Sequence, residues 1–129
     1  MRRIAAGLVL VLATCLGVVF GPVGSASAEP TTHLGPLYTT GGRTEMTFIW
    51  YNRSVGVQGY VENFGLNTTT VTFKFFQEST LLATQTRSAS AQTKSFNFTQ
   101  AGPSGGITEV DVKVCTGTAC SDDYVIRPF

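Results

Sequence analysis

Thr69-Thr70-Val71-Thr72-Phe73-Lys74-Phe75-Phe76-Gln77 decides the fold. Val71, Phe73 and Phe75 fall on one side of this stretch, and Thr70, Thr72, Lys74 and Phe76 on the other. Successive side chains of a strand point to opposite faces, so a period of two marks a strand with one apolar and one wet face. The same signature recurs on both sides of it. Glu45–Tyr51 alternates Met46, Phe48 and Trp50 against Glu45, Thr47, Ile49 and Tyr51. Ser54–Glu62 sets Val55, Val57 and Val61 against Gln58, Tyr60 and Glu62, and Ile107–Cys115 sets Val110, Val112 and Val114 against Glu109, Asp111 and Lys113.

Turn chemistry separates these runs. Asn63-Phe64-Gly65-Leu66-Asn67, Glu78-Ser79-Thr80 and Ala101-Gly102-Pro103-Ser104-Gly105-Gly106 are breaks of this kind. Between them Leu82–Ser88 reads as a more polar strand suited to a sheet edge, Ser95–Thr99 as a short one, and Tyr124–Arg127 as a returning one. Seven short, one-sided strands predict an all-β chain: an immunoglobulin-like antiparallel β-sandwich, with a small antiparallel barrel as the alternative. Strands wet on one face exclude a parallel sheet covered on both.

The N-terminal part is different. Met1-Arg2-Arg3 is basic, Ile4 to Phe20 is apolar and uncharged, Gly21-Pro22 breaks the run, and Ala26-Ser27-Ala28 offers a small-x-small cleavage site. Residues 1–28 therefore read as a secretory signal peptide, which implies export. Leu12-Ala13-Thr14-Cys15 resembles a lipobox, but Thr14 is the wrong neighbour and the apolar run continues past Cys15. Removing 28 residues from 129 leaves 101, enough for one domain and not for two. Residues 29–44 hold two prolines and three glycines without alternation, so they are expected to form an extended arm hinged at Gly41-Gly42. The β domain then spans 45–129.

From residue 29 onward seven basic residues face eight acidic ones, a net charge of −1. That balance offers no electrostatic footprint for nucleic acid or an anionic membrane. Cys115 and Cys120 enclose Thr-Gly-Thr-Ala, too wide for a Cys-x-x-Cys redox pair and without a nearby histidine for zinc. After export they are expected to form a disulfide that fixes the tip of a terminal hairpin.

Chemistry finds little purchase. The one histidine, His33, lies in the expected arm, where nothing would hold it as a general base. The carboxylates fall on wet strand faces, Asp122-Asp123 lacks a loop of oxygen ligands, and the glycines after Ala101 lead into a strand rather than a helix. No cofactor or metal motif is present, and a non-enzymatic role is the expectation.

Surface chemistry is what remains. Trp50, Tyr51 and Arg53 place interface-type side chains at one strand end. Adjacent residues face opposite ways, so Trp50 also reads as the core tryptophan of a sandwich, with Tyr51 on the opposite face. Tyr51, Tyr60 and Phe76 project opposite the apolar stripes, where they would form an exposed patch. Leu34, Leu37 and Tyr38 would be the apolar anchors of the arm, able to lie in a partner's groove or extend its sheet.

The leader, the arm Glu29–Thr44, the segment Arg53-Ser54-Val55-Gly56-Val57-Gln58-Gly59-Tyr60-Val61, Gly105-Gly106-Ile107-Thr108 and the late Val112-Lys113-Val114-Cys115 to Cys120-Ser121 together resemble the small adaptor subunits of actinomycete umbrella toxin particles. The resemblance implies a secreted, non-catalytic linker in an antibacterial assembly. Its arm would enter a cleft of a lectin-like subunit while the β domain docks on a large repeat-containing toxin chain. Two other roles suit the same residues: an inhibitor of an extracellular hydrolase, acting through Trp50-Tyr51-Asn52-Arg53, and a carbohydrate-binding module using Trp50, Tyr51 and Tyr60.

Overall fold

The computed structural model describes residues 29–128, and the signal peptide read over residues 1–28, Cys15 included, lies outside them. The strands, in chain order, are β1 Thr31–Thr39, β2 Gly42–Trp50, β3 Ser54–Asn63, β4 Thr68–Gln77, β5 Thr80–Ser90, β6 Thr93–Ala101, β7 Glu109–Thr116, β8 Ala119–Cys120 and β9 Tyr124–Ile126. They build two antiparallel sheets, ordered β1-β2-β3-β6 and β8-β7-β4-β5, with β9 sharing the outer edge of β7 with β8. The sheets pack face to face as the expected sandwich. All seven expected strands are present, and β1 and β8 join them. The strand order is the molecule's own: β2 and β3 pair as neighbours in one sheet over nine residue pairs.

The core is the inward half of each alternation. Met46, Phe48, Val55, Val57, Val61, Val71, Phe73, Phe75, Val110 and Val112 are all fully buried. Phe73 stands at the centre, edge-on to Phe48, Phe96 and Phe98 with ring centroids 5.5 to 6.3 Å apart. Edge-to-face arrangements of this kind add to the stabilisation that burial alone provides.

The N-terminal arm requires a correction. Thr31–Thr39 is a full strand, paired antiparallel with β2 from Thr31 opposite Ile49 to Thr39 opposite Gly42. Gly41 closes that hairpin with φ of +99°, a backbone region that favours glycine, so Thr40-Gly41 is a turn, Gly42 opens β2, and the expected hinge is a tight hairpin instead. The register slips between Leu34 and Leu37, where Gly35-Pro36 forms a bulge. β1 is an edge strand, which is where a sheet tolerates proline. The slip also turns Leu34 and Leu37, three residues apart, toward the same inner side.

The loops gather at two poles. One holds the Thr40-Gly41 turn, the Phe64–Asn67 connection, Ala91-Gln92 and the Gly117-Thr118 turn. The other holds Pro30, Asn52-Arg53, Glu78-Ser79, Gly102–Thr108 and Pro128. Along one side the free edges of β5 and β6 lie next to each other. There Arg87 points inward over the ring of Phe98, 4.1 Å from its centroid, and Gln85 donates to Gln100 at 2.9 Å. An inward charge on an exposed edge strand discourages further strand pairing.

Candidate functional site

A network of buried polar groups organises the Gly41 pole. Asn63 donates through Nδ2 to Oγ1 of Thr69 at 2.9 Å, while its Oδ1 accepts from the N–H of Ala91 at 2.9 Å and of Gly65 at 3.3 Å. Thr69 Oγ1 shares a hydrogen bond with Thr116 Oγ1 at 2.7 Å, and Thr116 is bonded in turn to Thr39. Buried polar groups are stable only when paired, so these residues hold the loops in one arrangement. The bond from Gly65 N–H to the Asn63 side chain is an Asx turn, which fixes the loop that follows β3.

That loop carries two exposed apolar side chains. Leu66 is 103% exposed and Phe64 56%, and Tyr38 on the adjoining hairpin is 62% exposed. Arg43 stands over the rings of both Tyr60 and Phe64, at 5.6 and 6.0 Å from their centroids, and its Nε donates to Glu62 Oε1 at 2.8 Å. Hydrogen bonding to Glu62, then to Tyr38, holds the guanidinium above its usual basicity. The result is an arginine framed by aromatic rings beside a wholly exposed leucine, a residue set enriched where proteins bind one another.

The outer face of the β1-β2-β3-β6 sheet continues from there. His33 is held by two side chains: Nε2 meets Glu45 Oε2 at 2.8 Å and Nδ1 meets Thr47 Oγ1 at 3.2 Å. With Nε2 donating to the carboxylate, Nδ1 accepts the threonine hydroxyl. This corrects the expectation of a histidine loose in an arm. Tyr60 donates its hydroxyl to Glu45 Oε1 at 3.1 Å, and burial first, with that bond second, raises its pKa.

The opposite pole holds a cleft of about 450 Å³ between Trp50, Tyr51, Ile107 and the two prolines Pro30 and Pro128. Trp50 forms its wall yet is only 5% exposed, and its indole N–H donates to Thr32 Oγ1 at 3.0 Å. It is a core residue, which removes it from the candidate partner contacts. Leu37, at 9% exposure, is removed for the same reason, and Leu34 packs against the core. Of the expected contacts, Tyr38, Tyr51 and Arg53 remain on the surface. Tyr38 lies at one pole and Tyr51 and Arg53 at the other, so they do not form one patch. Arg43, Phe64 and Leu66 were hidden from a reading by alternation. Two bulky apolar residues in an otherwise polar turn are the signal that points to them.

Cys115 and Cys120 are joined in a disulfide across the β7–β8 hairpin, as expected. On the outer face of the other sheet, Asp111 sits beside Glu109 and Lys113, and its carboxyl is pushed up to about 6, by burial first and then by Glu109. Among the described residues no group of three or more His, Cys, Asp or Glu side chains is arranged to hold a metal ion. Comparison with protein-family models, with curated proteins and with solved structures finds no match.

Proposed function

We propose that this chain is a secreted, non-catalytic binding module whose partner is another protein. The observation that carries the reading is the Gly41 pole, where Tyr38 and Phe64 flank Arg43 and Leu66, on the same loop as Phe64, faces water. A folded chain gains nothing from a fully exposed leucine beside an exposed phenylalanine. A partner that covers both gains the burial. The loop is also held rigid by Asn63, so little ordering cost falls on association.

The resemblance to umbrella-particle adaptors gives the proposal its concrete form: a linker between a lectin-like subunit and a large repeat-containing toxin chain. The route differs from an inserted arm, because Leu34 and Leu37 face the core of their own sheet. Tyr38 alone of those three is available, as part of the pole.

The test is capture of partners from the native culture supernatant with the tagged protein, alongside the Phe64→Ala/Leu66→Ser variant. Recovery of a stoichiometric partner by the parent and not by the variant supports the proposal. Recovery of a lone hydrolase, retained by the variant, would replace it with the inhibitor reading and move attention to Asn52-Arg53.

A further inference from the structure

Tyr51 does not project freely from its loop. Its ring rests against the bare backbone of Gly56, where a Cβ would stand 3.2 Å from Tyr51 Cε2. Glycine at this position makes a seat for an aromatic ring on the outer face of the sheet, and Tyr51 keeps 43% of its surface exposed there. Four residues further along β3, about 13 Å at ~3.3 Å per residue, stands the second ring, Tyr60.

Between the two rings the face is polar and uncharged. Gln58 pairs in register with Thr47 on one side and Asn97 on the other, so two amides and a hydroxyl form one row across three strands. Both amides are exposed. The charges bordering the row are already engaged. Glu45 accepts from His33 and Tyr60, and Arg43 is bonded to Glu62. His33 and Arg43, the basic residues facing the row, are each bonded to a carboxylate, so the row itself favours a neutral polymer over a sulfated, phosphorylated or uronic acid one.

We infer that this face binds a neutral, β-linked polysaccharide chain, stacked on Tyr51, hydrogen-bonded by Gln58 and Asn97, and bordered at its far end by Tyr60 beneath Arg43. The C–H groups on the flat side of a pyranose carry partial positive charge and pack against the negative face of an aromatic ring. Amides that both donate and accept suit hydroxyls, which do the same. A β-1,4-linked chain is extended and flat, matching a strip that runs straight along one strand, whereas an α-1,4-linked chain coils away from it. The site uses none of the Phe64–Leu66 loop, so it goes beyond the proposed protein-binding role and is tested apart from it.

The experiment is native electrophoresis of the protein, from residue 29 onward, through gels containing hydroxyethyl cellulose, mixed-linkage β-glucan, glycol chitin or soluble starch. Retardation is expected in at least one of the three β-linked polymers. Tyr51→Ala should weaken it about tenfold, the scale of one lost aromatic contact. Leu66→Ser, at the far pole, should be retarded like the parent. Unretarded migration in all three β-linked polymers overturns the inference, as does equal retardation of Tyr51→Ala. Retardation by starch alone overturns it too, since the linkage geometry would then be wrong.

Discussion

Asn63 donates to Thr69 across the sandwich at 2.9 Å, and through that bond the end of β3 in one sheet is tied to the start of β4 in the other. The same side chain accepts from Ala91 and Gly65, so three segments depend on it. Replacing it with alanine leaves buried donors unpaired, at a cost of about 2 kcal/mol. For a domain near 100 residues this lowers Tm by roughly 10 °C, readable by thermal melts followed by circular dichroism. A shift under a few degrees would mean the network contributes little.

Gly42 faces the same cluster. A Cβ there would collide with Thr69 Oγ1 and lie 2.8 Å from Thr116 Oγ1, both on strands of the other sheet. Gly42→Ala should destabilise by about 2 kcal/mol or more, as overpacking does. Gly65, with open space where its Cβ would be, is the matched control. Gly65→Ala should stay within about 0.5 kcal/mol. Urea titration of the pair measures the contrast.

Asp111 carries a pH dependence of known sign. Its carboxyl titrates at about 6 in the folded chain against 3.8 as an ordinary group, through burial first and Glu109 second. The folded state therefore binds this proton more readily than the unfolded one. Its penalty on stability is absent below about pH 4, grows as pH rises toward 6, and is full above that. Solvent screening limits the effect to about 1 kcal/mol. Asp111→Asn should raise stability at pH 8 by that amount and leave it unchanged at pH 4. Equal effects at both values would assign the gain to something other than titration.

The Cys115–Cys120 bridge closes a short loop at the edge of β7. The loop-closure model gives about 2 kcal/mol for a ring of this size. The Cys115→Ala/Cys120→Ala variant should melt lower by roughly 10 °C while keeping the sandwich, because Val110, Val112 and Val114 are buried independently of the bridge. Loss of the near-ultraviolet signal of Trp50 at low temperature would contradict this.

Phe64→Ala/Leu66→Ser should leave stability within about 0.5 kcal/mol, since neither side chain is buried. Its effect should appear in association alone, as at least a tenfold loss of affinity for a captured partner. A large loss of stability would mean that the loop holds the fold together.

Alternation made most of this fold legible, because a buried stripe written at period two leaves one way to fold each strand. Met46-Phe48-Trp50, Val55-Val57, Val71-Phe73-Phe75 and Val110-Val112-Val114 all lie in the core. β1 was not legible, because the bulge at Gly35-Pro36 breaks the period inside the strand and places Leu34 and Leu37 on one side. The place of His33 was not legible for the same reason: only β1, paired with β2, brings it to Glu45 and Thr47. Trp50 and Tyr51 illustrate what a short pattern leaves open. As neighbours they face opposite ways, and only the packing of the sheets decides which one meets water. The Arg43–Phe64 contact was not legible because it joins the start of β2 to the loop after β3, at a sequence separation that no strand period records.

Pro30 and Pro128 line one cleft, and Thr32 is hydrogen-bonded to the carbonyl of Arg127 at 3.5 Å. The described chain thus enters and leaves at the Trp50 pole, while Leu66 points away at the other. Anything fused to either end hangs behind the domain like a handle, so tags, tethers or further copies in series would leave the Tyr38–Leu66 pole pointing forward.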